Sequence, residues 1–267
     1  MGITSAIMII SGIGIIAAVV LVLAAKFMHV EEDERIGKVQ ECLPGANCGA
    51  CGYAGCADYA KAIVEKDAPL NLCIPGGAAA AEGAAKVMGK TAGATAAKVA
   101  VVACQGFECN TSKKFDYQGI TTCSAAAKMF NGPTACAYGC MGFGDCVAAC
   151  KFDAIQVVNG VALVNQEKCT GCGACSKACP KGIIHMIPDD VNPVVLCQNV
   201  DKGAQTRKVC STGCIGCMKC TKYCPTNAIS VQNNLAYIDQ ELCIGCMQCA
   251  DECPVKAIHI PNIRKQY

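Results

Sequence analysis

Of the 267 residues, 26 are cysteine, and most of them stand two or three residues apart. That spacing brings several thiolates to one metal centre. Three segments share the pattern C-x2-C-x2-C-x3-C-P: Cys169, Cys172, Cys175, Cys179 and Pro180; Cys214, Cys217, Cys220, Cys224 and Pro225; Cys243, Cys246, Cys249, Cys253 and Pro254. A fourth, Cys140, Cys146 and Cys150, keeps the outer spacing, with Phe143 in place of the second cysteine and Lys151 in place of the proline. Nearer the N-terminus, Cys48, Cys51, Cys56 and Cys73 follow a different pattern, C-x2-C-x4-C-x16-C. Glycines between them let backbone approach a bulky centre. A four-iron cube offers four corners to four thiolates, and three cysteines on one loop reach three of them, with loop N–H groups aimed at the sulfurs. Zinc, the competing metal, favours paired C-x2-C knuckles or mixed Cys/His sets, and the chain has only 3 His. His185 and His259 follow apolar motif ends and read as packing residues, and Cys42 reads as a buried thiol.

The elements that must position these cysteines come as a repeat. Adding 74 to Cys123, Cys136, Cys140, Cys146, Cys150, Cys169, Cys172, Cys175 and Cys179 lands on a cysteine each time, ending at Cys253, and His185 maps onto His259. Such register without a gap indicates a tandem duplication. Each copy holds two cysteine motifs around a β-prone stretch, a polar turn and a second stretch. Ala228, Ile229, Ser230 and Val231 lead to Asn233 and Asn234 and on to Ala236, Tyr237 and Ile238. Ala154 to Val157 and the Asn159–Gly160 pair match them in the first copy, so a strand, tight turn and strand are expected in both.

Two cysteine motifs around a short hairpin resemble the bacterial two-cluster ferredoxin, in which the fourth cysteine of each motif ligates the other cluster. The resemblance implies one cluster on Cys214, Cys217, Cys220 and Cys253 and its neighbour on Cys243, Cys246, Cys249 and Cys224. In the first copy it implies a full set of Cys169, Cys172, Cys175 and Cys150. The remaining set has Cys140, Cys146 and Cys179, with Phe143 unable to ligate. Cys136 is the nearest candidate to complete it, and a three-iron cluster is the alternative.

From Met1 to Ala25 there is no charged side chain. As a helix at about 1.5 Å per residue, the apolar stretch would be roughly 34 Å long, enough for a hydrocarbon core of about 30 Å. No Lys or Arg precedes it, and it exceeds a signal-peptide core of about 7–15 residues, so an uncleaved anchor is expected. Lys26, Arg35 and Lys38 lie just after it and favour a cytoplasmic C-terminal side. The run Glu31, Glu32, Asp33 and Glu34 reads as a solvated face. The span carries no acidic residue and so offers no route for an ion. With a net charge of +2 and no basic run, nucleic acid is excluded as a partner. The chain has no Trp and only 6 Phe and 7 Tyr, and bound metal can supply the stapling that such small cores need.

Lys98 to Ala103 reads as a buried strand delivering Cys104, with Cys109 and Cys123 beyond it. These three either join Cys136, Cys197 or Cys210 in a sixth cluster or are structural thiols. The expected class is α+β. A transmembrane anchor takes 1–27, an N-terminal [4Fe-4S] domain 28–90, and a linker and strand segment 91–131. Ferredoxin-like domains take 132–190 and 206–267, joined by a linker at 191–205.

An uncharged N-terminal span, then the Cys48 to Cys73 pattern, then ferredoxin motifs: in that order nearly the whole chain resembles the B-subunit family of the Rnf complex, in its longer form with two ferredoxin pairs. The resemblance implies a cell-membrane complex coupling electron flow between reduced ferredoxin and NAD to sodium or proton transport. This chain would take electrons from soluble ferredoxin and pass them through five or six [4Fe-4S] clusters to partner subunits. It would have no catalytic side chain, and its cluster domains would lie on the cytoplasmic side. No G-x-G-x-x-G fingerprint is present, so flavin and NAD are expected on other subunits. The rival readings are a polyferredoxin subunit of a hydrogenase or formate-linked membrane oxidoreductase, and a zinc-stapled, membrane-tethered interaction protein.

Overall fold

The computed structural model describes residues 2–27, 33–93, 97–189 and 192–260, and within the first helix the side chains at 10–23. The Lys26 side chain and the acidic residues Glu31 and Glu32 lie outside the described residues.

Helix α1 (Ile3–Phe27) runs unbroken for 25 residues. With no Pro and no charge before Lys26, nothing in its sequence interrupts it. Its described side chains face outward on all sides, with Ile10, Leu21 and Val22 each about two-thirds exposed or more. Those side chains cover only part of the helix, and among the described residues no helix is long and apolar enough to cross a membrane.

Three helices follow: α2 (Glu34–Glu41), α3 (Cys56–Lys66) and α4 (Gly77–Met88). Asp33 caps α2 by accepting from the Arg35 N–H at 2.9 Å, a standard way to satisfy a helix's first donors. Ile36 and Val39 of α2, Tyr59 and Ile63 of α3, and Ala80 and Ala84 of α4 close one small core. Cys42 is half-buried rather than fully enclosed and lies against Gly83 of α4.

Beyond these helices the chain is built from short antiparallel strand pairs. In order come β1 (Lys98–Val102), α5 (Cys123–Ala127), α6 (Asp145–Ala148), β2 (Ile155–Val158), β3 (Val161–Val164), α7 (Ala174–Ala178) and β4 (Ile184–Pro188). A second series holds β5 (Val194–Val195), α8 (Gly203–Val209), α9 (Lys219–Lys222), β6 (Ile229–Gln232), β7 (Leu235–Ile238), α10 (Gln248–Asp251) and β8 (Ile258–His259). The pairs are β1 with β4, β2 with β3, β5 with β8 and β6 with β7.

The hairpins stand where the alternation places them. Ile155 faces Val164 as Ile229 faces Ile238, 74 residues on. Asn159 and Gly160, and likewise Asn233 and Asn234, have positive φ, as a two-residue turn with the right twist requires. The opening strands keep another register. Val102 lies opposite Ile184, and Val195 lies opposite Ile258, the residue 74 after Ile184. Val195 thus stands 93 residues after Val102, and the first copy contains 19 more residues than the second between this strand and its first cysteine loop. The linker and strand segment expected at 91–131 carries the first strand of the first copy, and the segment expected as a plain linker at 191–205 carries that of the second.

Candidate iron–sulfur sites

The first cysteine group sits at the edge of the three-helix core. Gly49 and Gly52, both at positive φ, turn the loop that carries Cys48 and Cys51. The Asn47 side chain accepts from the Cys56 N–H at 2.8 Å, fixing the start of α3. Tyr59, on α3, is fully buried; its hydroxyl donates to the Pro69 carbonyl at 2.6 Å and accepts from the Leu72 N–H at 3.2 Å. That pair of bonds holds the strip leading to Cys73. Burial pushes the Cys73 thiol up, the Gly76 N–H opposes this, and the neighbouring Cys56, Cys51 and Cys48 raise it further. The four expected residues are therefore together.

In the first copy, burial again raises Cys175, to about 11, with Cys169, Cys172 and Cys150 beside it. This is the expected set. The Ala100 N–H donates to the Cys169 sulfur at 3.4 Å. Its loop touches the N-terminal group: a Cβ on Gly171 would sit 3.3 Å from the Ile74 side chain. Lys151, in the usual proline position, reaches across to the Asn47 carbonyl at 2.8 Å.

The other set of the first copy differs from expectation. Burial raises Cys146 to about 12, and the thiols around it are Cys140, Cys123, Cys179 and Cys175. The residue joining Cys140, Cys146 and Cys179 is thus Cys123, and these four line one cavity. Cys136, expected there, faces Cys210 instead.

Cys123 reaches this place because the 19 extra residues fold back over Phe143. The Phe143 ring lies 5.3 Å from Tyr117, in a cluster with Cys123, Ala126 and Met141. Asp145 then ties down the start of α5. Its carboxylate accepts from the Cys123 N–H at 2.7 Å, the Ser124 N–H at 2.9 Å and the Ser124 hydroxyl at 2.6 Å. Although burial favours the neutral acid, these donors hold Asp145 below its ordinary value. Lys181 clamps the far end through the Asn131 and Ala137 carbonyls, both at 2.6 Å.

In the second copy, burial raises Cys220 to about 11, amid Cys214, Cys217, Cys253 and Cys249. Cys249 is raised to about 11 by burial and then by Cys243 and Cys246. Cys224 stands 74 residues after Cys150, the position that completes the equivalent set in the first copy. Close approach of the hairpins shapes both loops: a Cβ on Gly142 would meet the Gly160 carbonyl at 2.9 Å, and one on Gly216 the Asn234 carbonyl at 2.7 Å. Cys217 and Cys246 are exposed, as is Cys109, which joins no group. His185 is partly buried with its pKa lowered by that burial, and His259 meets the Lys256 carbonyl at 2.6 Å. Neither ring faces a cysteine set in these contacts.

Crowded, buried thiols with raised pKa values are poor isolated anions, and metal binding must displace their protons. Among the described residues no group of three or more His, Cys, Asp or Glu side chains converges on a single ion. A four-iron cluster makes no such demand, since each thiolate binds its own iron.

A signal for the Cys123 placement was present in the chain. Val101-Val102-Ala103-Cys104-Gln105 and Val194-Val195-Leu196-Cys197-Gln198 are near-identical at the strand offset of 93. They pair Cys104 with Cys197 and leave Cys123 as an extra residue.

Three family models match: "Putative Fe-S cluster" over residues 43–75, "4Fe-4S binding domain" over 162–185 and "4Fe-4S dicluster domain" over 213–257. The chain is 46% identical over 230 residues to the B subunit of the Na(+)-translocating ferredoxin:NAD(+) oxidoreductase complex of Acetobacterium woodii, covering 85% of this chain and 69% of that one. It is 43% identical to the B subunit of the proton-translocating ferredoxin:NAD(+) oxidoreductase complex of Clostridium ljungdahlii, covering 86% and 82%. It is 40% identical to the B subunit of the ion-translocating oxidoreductase complex of Methanosarcina acetivorans, covering 89% and 90%. With such identity over most of each chain, the protein belongs to the family of B subunits of ion-translocating ferredoxin:NAD oxidoreductase (Rnf) complexes.

Proposed function

We propose that this chain accepts electrons from reduced ferredoxin and conveys them, through clusters held by five cysteine sets, to partner subunits that reduce NAD. The sets are Cys48, Cys51, Cys56 and Cys73; Cys150, Cys169, Cys172 and Cys175; Cys123, Cys140, Cys146 and Cys179; Cys214, Cys217, Cys220 and Cys253; and Cys224, Cys243, Cys246 and Cys249. The observation that carries the reading is that Cys123 lines one cavity with Cys140, Cys146 and Cys179, standing in for the ligand that Phe143 cannot supply.

The residues fit four-iron clusters. Backbone N–H groups already point at ligand sulfurs, as from Ala257 to Cys253 at 3.3 Å and from Ala100 to Cys169 at 3.4 Å. Thr170, between two ligands, keeps a buried hydroxyl without a partner, suited to donate to a cluster sulfur. Bound clusters would supply one-electron redox chemistry at potentials set by such hydrogen bonds and by exposure. The protein's part is to hold the thiolates, exclude water and leave an edge accessible. Cys217 and Cys246 meet solvent, so the second copy is where electron exchange with a partner is proposed.

Helix α1 is proposed as a single-pass anchor in the cell membrane, with the cysteine sets on the cytoplasmic side. Its support is 25 continuous helical residues, no charge through Ala25 and, among the side chains described at 10–23, apolar ones facing outward. Ion movement is assigned to partner subunits, because α1 carries no acidic side chain. The domain limits proposed follow the strands: 1–27, 28–90, a first ferredoxin-like unit from Lys98 and a second from Val194.

Stopped-flow mixing with reduced ferredoxin tests the reading. Cluster absorbance should bleach as electrons arrive. A chain that stays oxidised beside reduced ferredoxin, while chemical reductants bleach it, would refute ferredoxin as donor.

A further inference from the structure

The two copies meet at a cavity lined by four cysteines that none of the five sets uses: Cys104, Cys136, Cys197 and Cys210. All four are buried. The geometry points to a sixth iron–sulfur cluster site here, held by two cysteines from each copy and bridging them; it rests on the reading of the chain as a cluster carrier.

The seam is built with local symmetry. The Cys104 sulfur accepts from the Gly106 and Cys140 N–H groups, both at 3.3 Å. Its counterpart, the Cys197 sulfur, accepts from the Asn199 N–H at 3.4 Å and the Cys214 N–H at 3.3 Å. Cys104 and Cys197 thus each take a donor two residues on and another from the first cysteine of their own copy's C-x2-C-type loop. Cys136 and Cys210 are the other related pair, 74 residues apart. A Cβ on Gly139 would sit 3.6 Å from the Cys136 sulfur and 3.7 Å from the Cys104 sulfur, so these two flank one glycine that leaves them room. Asn199, itself fully buried, aims its amide at the Cys136 sulfur at 3.6 Å.

Donors aimed at three of four enclosed sulfurs suit a thiolate-bound cluster, and an unliganded apolar seam would have no use for them. The halves are also fastened at this point. Thr111 donates to the Val209 carbonyl at 2.7 Å, and the Ser211 N–H donates to the Asn110 carbonyl at 2.9 Å. Position gives the site its role. Cys140 belongs to a set of the first copy and Cys214 to a set of the second, and their N–H groups touch opposite sulfurs of the seam. The seam therefore lies between the sets of the two copies, where electrons crossing from one to the other need a carrier.

The test compares the full chain with a variant carrying Cys104→Ser, Cys136→Ser, Cys197→Ser and Cys210→Ser, both purified anaerobically in mild detergent. The variant should lose about four irons and about four sulfides per chain and no zinc. Equal iron and sulfide in the two proteins, or loss of zinc instead, overturns the site. Should the variant not fold, the parent decides: about 24 irons supports the seam cluster and about 20 overturns it. A colourless, iron-free parent would instead sink the underlying carrier reading, so the two failures are distinct.

Discussion

Asp145→Ala isolates how the first copy supplies its displaced ligand. The carboxylate makes three hydrogen bonds, at 2.7, 2.9 and 2.6 Å, to the first two residues of α5, and Cys123 is the first of them. Hydrogen bonds to a charged acceptor are each worth about 1.5–3 kcal/mol when enclosed. Two of these three are exposed, which lowers their share. Loss of the set should therefore cost the α5 segment about 2 kcal/mol, roughly a 30-fold rise in its local opening. The remaining cap, Thr122 Oγ1 accepting from the Ala125 N–H at 3.2 Å, keeps some helix. Amide hydrogen exchange at Cys123, Ser124 and Ala126 reads the effect directly. Protection should fall by about that factor there and stay unchanged at Ile229 to Gln232 in the second copy. Iron should fall by about one per chain as the corner served by Cys123 is lost. Unchanged protection at α5 would refute the claim that Asp145 positions this ligand.

The ligand itself is tested by Cys123→Ser, which should remove or convert the cluster at Cys140, Cys146 and Cys179, whereas Cys136→Ser should leave that cluster's spectrum intact; the opposite pattern would restore Cys136 to that set. Tyr59→Phe leaves the Leu72 N–H without its buried acceptor, at about 1–3 kcal/mol, and should speed cluster loss near Cys73, followed by absorbance decay under chelator. Gly216→Ala forces a Cβ to 2.7 Å from the Asn234 carbonyl at a φ of 62, so about 2–4 kcal/mol of strain and overlap should appear as faster thermal bleaching. Deleting residues 1–27 should release a brown, soluble protein, and a truncated chain that still sediments with membranes would show that α1 is not the anchor.

What could be read from the residues followed local physics. The hairpins announced themselves through alternation and the Asn-rich turns, and the first three cysteines of each complete motif, like Cys48, Cys51 and Cys56, need only short loops to converge. The chain belongs to the family expected from that order of motifs. Cys123 and Cys136 were less accessible, because their partners depend on how β1 pairs with β4 across more than eighty residues. Counting by 74 also matched Cys123 to Cys197, although the strand register matches Cys197 to Cys104. A 19-residue insertion had shifted one cysteine into false register. Phe143 likewise read as a lost ligand, but its ring supports the segment that brings the replacement.

The central claim is that these thiolates hold redox-active iron, and elemental analysis of the anaerobically purified chain tests it most directly. Iron and acid-labile sulfide should be present in equal amounts, at least about 20 of each per chain, with zinc near zero and a visible absorbance that dithionite bleaches reversibly. A colourless chain binding a few zinc ions, with no labile sulfide, would contradict the account.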